Sequence, residues 1–129
     1  MAKKFYMVLG LIFVVVSLYA QNLSELRIIA EDGTLLGTFE NEYASNSIYN
    51  KYGNYGSKYS SASIFNKYGN YGSDYSDMSP FNRYASNPPG LYDRRGNFYG
   101  TLSINRYASG VTNEMYNLAL RLKAIRDSM

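Results

Sequence analysis

Cysteine, histidine and tryptophan are all missing from this chain of 129 residues. Without thiols there is no disulfide framework and no cysteine on which a lipid anchor could be built. Without histidine or cysteine, Ser-His-Asp and Cys-His mechanisms and zinc sites of the usual donors lose their central residues. Long apolar runs are missing as well: the longest, Phe5 to Ala20, falls short of the roughly 20 residues a spanning helix needs. Charge is sparse, with 13 Lys and Arg against 10 Asp and Glu. Two of those cations, Lys3 and Lys4, stand at the N-terminus, so eleven basic residues face ten acidic ones in the remainder. That near balance, with an export signal, argues against nucleic acid as a partner.

The chemistry that remains is thin. Carboxylate pairs could do acid-base work, and Glu31 with Asp32 and Glu40 with Glu42 are the neighbours. Each pair sits beside a turn or a strand end, where a solvated surface role is expected. Asp74, Asp77, Asp93 and Asn97 offer hard oxygen donors, but their spacing matches no twelve-residue calcium loop with a closing Glu. Gly53-Asn54-Tyr55-Gly56 and its copy lead into no helix bearing Lys-Ser or Lys-Thr, so a phosphate cradle is not expected either. The expectation is a protein with no catalytic, cofactor or metal residues.

What is abundant is tyrosine, at 15 residues, arranged in repeats. Asn50-Lys51-Tyr52-Gly53-Asn54-Tyr55-Gly56-Ser57 returns sixteen residues later as Asn66-Lys67-Tyr68-Gly69-Asn70-Tyr71-Gly72-Ser73. Asn82 and Tyr84 continue the register, and Asn41 with Tyr43 is a shortened opening copy. A fixed period means modules that meet their neighbours through equivalent contacts. Two glycines three apart in each unit exclude long strands and favour consecutive turns, so an irregular, turn-rich array is expected over 41–89. Ile48, Ile64 with Phe65, and Phe81 supply one apolar position or pair per unit for a narrow shared core.

A second duplication frames the first. Asp32-Gly33-Thr34-Leu35-Leu36-Gly37-Thr38-Phe39 is echoed by Arg95-Gly96-Asn97-Phe98-Tyr99-Gly100-Thr101-Leu102, and Asn-x-Tyr-Ala-Ser follows each. Turn signals between apolar strands predict two β-hairpins, over 26–39 and 90–104, with Asp32-Gly33 supplying a tight turn. From Thr112 to Asp127 there is neither Gly nor Pro, and Met115, Leu118, Leu122, Ile125 and Met129 fall at helical spacing. This predicts an amphipathic helix over 112–127, capped by Thr112 or Asn113, with Tyr116 and Leu120 widening the apolar stripe that docks on the hairpins. The fold class is thus small α+β. Residues 1–20 have the basic start, apolar run and small-residue exit of a secretory signal peptide, with a cut expected after Ala20 and a single domain over 21–129.

The string from Tyr52 to Ile64, then Asn82 to Pro89, then the hairpin Tyr92 to Ser103, resembles a group of small exported bacterial proteins built from Asn-Pro-Tyr-Gly repeats. The resemblance covers about Ile28 to Ser109 and implies export and a repeat architecture, with no particular activity. The chain departs from that group at Lys51, Lys67 and Arg83, where the commoner residue is proline, so rigidity from proline does not carry over.

Together these readings describe an exported, non-enzymatic structural or interaction module of the bacterial cell envelope, periplasmic or extracellular, with no membrane contact after signal cleavage. The alternative is a glycan or cell-wall binding module. Its ligand-facing residues would be the repeat tyrosines Tyr55, Tyr59, Tyr71 and Tyr75, because aromatic faces interleaved with Lys51, Lys58, Lys67 and Arg83 suit a sugar polymer. The partner is accordingly an envelope protein or an envelope glycan.

Overall fold

In the computed structural model, which describes residues 23–129, a 3-10 turn at Leu23–Glu25 leads into strand β1 (Arg27–Ile29), which turns back as β2 (Leu35–Thr38). Strands β3 (Gly90–Tyr92) and β4 (Phe98–Thr101) make a second hairpin, and helix α1 (Asn113–Ser128) follows. The architecture is small α+β: one antiparallel sheet in the order β2-β1-β3-β4 and a C-terminal helix. The expected signal segment at 1–20 lies outside the described residues. Among the described residues no helix is long and apolar enough to cross a membrane.

The two hairpins are structural copies at an offset of 63 residues. Ile28 pairs with Gly37 as Leu91 pairs with Gly100, a register shift follows each of these pairs, and β1 meets β3 at Ile28 opposite Leu91. Equivalent residues of two antiparallel strands meet only at a local two-fold axis, so the duplicated sequence builds one pseudo-symmetric sheet. Both connections are three-residue loops, with Gly33 supplying the positive φ expected of the first turn. The Ala30 N–H donates to the Thr34 carbonyl at 2.8 Å and the Gly33 N–H to the Ala30 carbonyl at 2.9 Å. Asp93 with Asn97 and Gly96 with Asp93 repeat this at 3.0 and 3.1 Å. Only the glycines take positive φ, +89° at Gly33 and +87° at Gly96, as the residue closing such a loop must.

Between the hairpins the chain is a ladder of turns with a definite step. Backbone N–H groups of Ala44, Ser47, Asn50 and Gly53 each donate to the carbonyl three residues earlier, at 3.1–3.2 Å. A four-residue step from Ser57 to Gly53 follows, and the threes resume at Ser60, Ser63, Asn66 and Gly69 before the next four-residue step, from Ser73 to Gly69. Four steps of three and one of four make the sixteen-residue period. The turn-rich array, expected to be irregular in backbone, thus repeats its hydrogen bonds with the sixteen-residue period of the sequence. Its cause is local: the side-chain oxygen of Ser or Asn at the first position of a turn accepts the N–H two residues on, closing the turn without help from a sheet.

The ladder is fastened to the sheet at both ends. Along β2, an otherwise open edge, Thr38 donates to the Asn46 carbonyl at 2.8 Å and Ile48 donates to the Thr38 carbonyl at 2.9 Å. At the far end Ile104 donates to the Pro80 carbonyl at 2.9 Å, and the Asn105 amide donates to the Ala85 carbonyl at 2.8 Å. Covering an edge in this way removes a row of unpaired groups that would otherwise recruit another strand. Ile48, Ile64, Phe65 and Phe81 from the ladder join Ile28, Leu36, Leu91 and Leu102 from the hairpin segments in one buried cluster.

Helix α1 begins where Thr112 accepts the Met115 N–H on its hydroxyl at 3.2 Å, the expected cap. Met115, Leu118, Ala119 and Leu122 enter the cluster. Toward its end the helix departs from the expected stripe: Ile125 and Leu120 are exposed, and Arg126 is buried in their stead. The reason is a set of acceptors waiting on the ladder, which lets a cation occupy the inward position.

Candidate functional site

Seven tyrosines, Tyr43, Tyr52, Tyr59, Tyr68, Tyr75, Tyr84 and Tyr107, are 80–99% exposed. Each is held at its backbone in the same way. The N–H groups of Tyr43, Tyr52, Tyr68, Tyr84 and Tyr107 donate to the side-chain oxygen of Asn41, Asn50, Asn66, Asn82 and Asn105, two residues earlier, at 2.9–3.1 Å. Tyr59 and Tyr75 donate to the hydroxyls of Ser57 and Ser73, both at 3.1 Å. The asparagines also anchor the turns inward: the amides of Asn50, Asn66 and Asn82 donate to the carbonyls of Ala44, Ser60 and Ser76, six residues back, at 3.0–3.2 Å. An exposed ring thus rides on a backbone that cannot relax away from it.

Of the four tyrosines expected to face a ligand, Tyr59 and Tyr75 do face solvent. Tyr55 and Tyr71 are placed differently: both pack against the buried cluster. Tyr71 further donates its hydroxyl to Asp32 at 2.7 Å, and its oxygen lies 3.2 Å from the Thr34 hydroxyl, tying the ladder to the first hairpin turn. They stand two residues after a glycine, Gly53 or Gly69, which has no side chain to accept their N–H. Tyr52, Tyr68 and Tyr84 are exposed as Tyr59 and Tyr75 are, and the signal for them was the Asn two places before each.

Among the clefts along this surface, two have linings built largely from equivalent residues one period apart. The first, about 500 Å³, is bordered by Tyr59 and Tyr68 with Phe65, Asn66 and Lys67. The second, about 460 Å³, is bordered by Tyr75 and Tyr84 with Phe81, Asn82 and Arg83. Helix α1 supplies a wall to each, through Arg126 in the first and Lys123 in the second. Arg126 is only 2% exposed, and its guanidinium lies 4.9 Å from the centre of the Phe81 ring. It donates to the Gly72 carbonyl at 2.6 Å, to Asp74 at 2.7 Å and to Asp127 at 2.8 Å.

These pairs leave a charge pattern. Arg126 pairs with both Asp74 and Asp127, and Lys123 pairs with Asp127 at 2.8 Å. Among the described residues Lys58, Lys67 and Arg83 form no salt bridge. Lys58 instead lies over the Tyr59 ring, 5.3 Å from its centre.

Of the oxygen donors considered for calcium, Asp74 is paired with Arg126, and Asp77, Asp93 and Asn97 are engaged in turns. Asp77 accepts from the Ser86 N–H at 2.7 Å and from the Asn87 amide at 2.7 Å, and Asp93 accepts from the Asn97 N–H and amide, both at 2.9 Å. The Ser86 bond holds the Asp77 carboxyl below the usual aspartate range, and the Asn97 amide does the same for Asp93. The hydroxyl of Tyr71 lowers Asp32 likewise. No group of three or more acidic, Cys or His side chains that could hold a metal occurs among the described residues. Of the carboxylate pairs, Asp32 is committed to Tyr71 and Thr34, while Glu31 and Glu42 are exposed. Compared with protein-family models, curated proteins and solved structures, the chain matches none.

Proposed function

We propose that this chain is an exported, non-enzymatic interaction module of the bacterial cell envelope whose contact surface is the tyrosine row of the turn ladder. The observation that carries the reading is that all seven of the most exposed tyrosines have their backbone N–H clamped by an Asn or Ser two residues earlier. Tyrosine offers a large amphipathic face at low entropic cost, and a fixed backbone lowers that cost further. Large aromatic side chains held out in water gain nothing for the fold they decorate, and their burial against a partner is the use that fits them. Export is supported by Lys3-Lys4 and the apolar run to Val16, and the non-enzymatic reading by the absence of His and Cys from the sequence.

The test is retention on isolated envelopes of the bacterium that expresses the protein. The retained protein is expected to begin at Gln21 by intact mass. Changing Tyr52, Tyr68 and Tyr84 together to Ser should abolish retention while leaving the melting curve in place, since the rings touch little of the core. Retention that survives the triple change would reject the tyrosine row as the contact surface.

A further inference from the structure

Repetition of a cleft says something about the shape of its occupant. A site formed once suits a compact ligand; the same lining formed twice, at a constant step along one ladder, suits a chain that repeats its own unit. Tyr59, Phe65, Asn66, Lys67 and Tyr68 are replaced in the second cleft by Tyr75, Phe81, Asn82, Arg83 and Tyr84, so these aromatics, the amide and this cation are conserved in kind, while Lys58 of the first cleft gives way to Asp74, which is paired with Arg126. We infer that the two clefts bind successive units of an acidic polysaccharide, its sugar rings lying on the tyrosines and its carboxylates meeting Lys67 and Arg83. This deepens the proposed function and rests on it, by naming the class of partner.

Three features select that class. First, the rings at the rim are tyrosines whose hydroxyls have no partner in the protein, since among the described residues only Tyr71 and Tyr99 donate theirs. A pyranose presents C–H groups on its faces and hydroxyls on its edge, matching a ring that ends in a free phenol. Second, the cations are available. Lys58, Lys67 and Arg83 are free of salt bridges, whereas Asp74, the one acidic residue lining either cleft, is occupied by Arg126. A neutral polymer would leave these charges without a counterpart; an anionic one pairs them. Third, the described residues carry eleven cations against ten anions. That balance suits a polymer with widely spaced charges and fits poorly a nucleic acid, whose binders are strongly basic.

The experiment is calorimetric titration of the full mature chain with polygalacturonate, neutral galactan and single-stranded oligothymidine. Polygalacturonate should bind, and galactan at least about tenfold more weakly, a difference of about 1.4 kcal/mol. Tyr59→Ala with Tyr68→Ala should weaken binding by about tenfold or more, and Tyr75→Ala with Tyr84→Ala by a similar factor. Tyr68→Phe, which keeps the ring, should retain most of the affinity, and Lys67→Gln with Arg83→Gln should remove the preference over galactan and flatten the salt dependence. All these side chains are exposed, and unchanged melting curves confirm that the variants fold. Equal binding of galactan, tighter binding of oligothymidine, or an effect of only one cleft's tyrosines would overturn the inference. So would no binding to any of the three polymers; envelope retention lost in the Tyr52, Tyr68, Tyr84 variant would then still uphold the tyrosine row, with a protein as its partner.

Discussion

At the scale of single residues, the turn ladder depends on positions where no side chain fits. A Cβ on Gly72 would overlap the carbonyl oxygens of both Asn66 and Ile64, and one on Gly56 would overlap that of Asn50. These contacts are with backbone, which cannot swing aside. Gly72→Ala should therefore destabilise the domain by about 1–3 kcal/mol. At Gly69 the nearest atom is the Asn66 side-chain amide at 3.3 Å, so Gly69→Ala should stay within about 1 kcal/mol in the same denaturation series. Aspartates set the pH response. Asp32, Asp77 and Asp93 are all held below the usual aspartate range, by Tyr71, Ser86 and Asn97 respectively. A carboxyl with a lowered folded-state pKa stabilises above its unfolded value, about 3.9, and loses that contribution as the pH falls through the folded value. The melting temperature should thus be level from neutrality to about pH 5 and decline below about pH 4, and Asp32→Asn should make the decline shallower. A melting temperature that rises on acidification would contradict these assignments.

At the scale of elements, α1 is the member that joins hairpins to ladder. Leu118 is 3% exposed within the cluster, whereas Leu120, two residues on, is 40% exposed. Leu118→Ala should cost about 2–5 kcal/mol in chemical denaturation, and Leu120→Ala well under 1 kcal/mol by comparison. Arg126 acts at the opposite end. Replacing it with Met would strand the Gly72 carbonyl, at about 1–3 kcal/mol for an unsatisfied buried acceptor. The same helical spacing that revealed the apolar stripe in the sequence could not rank Ile125 against Arg126, because the choice depends on acceptors more than fifty residues away. The hairpins were legible from their turn residues and their duplication. Their mutual pairing across Ile28 and Leu91 joins segments more than sixty residues apart and left no mark on local pattern.

At the scale of the whole molecule, the ladder is an arch rather than a free stack. The sixteen-residue period by itself suggests that removing Asn50 to Phe65 keeps every later residue in register and costs only stability. The fastenings add a condition. With Ile48 bonded to Thr38 and Ile104 bonded to Pro80, a ladder one period shorter must release one end. Deletion of 50–65 should therefore lower the melting temperature and remove hydrogen-exchange protection from either the Ile48 or the Ile104 amide. Protection retained at both would show a stack that adapts its length freely. The loss of Ile64 and Phe65, both buried, acts in the same direction.

Sequence alone determined whatever arises within a few residues of itself: the hairpin turns at Asp32-Gly33 and Arg95-Gly96, the capped helix from Thr112, and the recurrence of turns every sixteen residues. Even the three-residue step was written there, in Ser57, Ser60, Ser63, Asn66 and Gly69, because each side chain or its absence acts on its own turn. Tertiary structure decided which period of the ladder lies over which strand, and that Arg126 belongs inside. Those outcomes depend on partners brought close only when the sheet closes across its two-fold and the ladder is bound at both ends, and no local pattern of residues contains that distance.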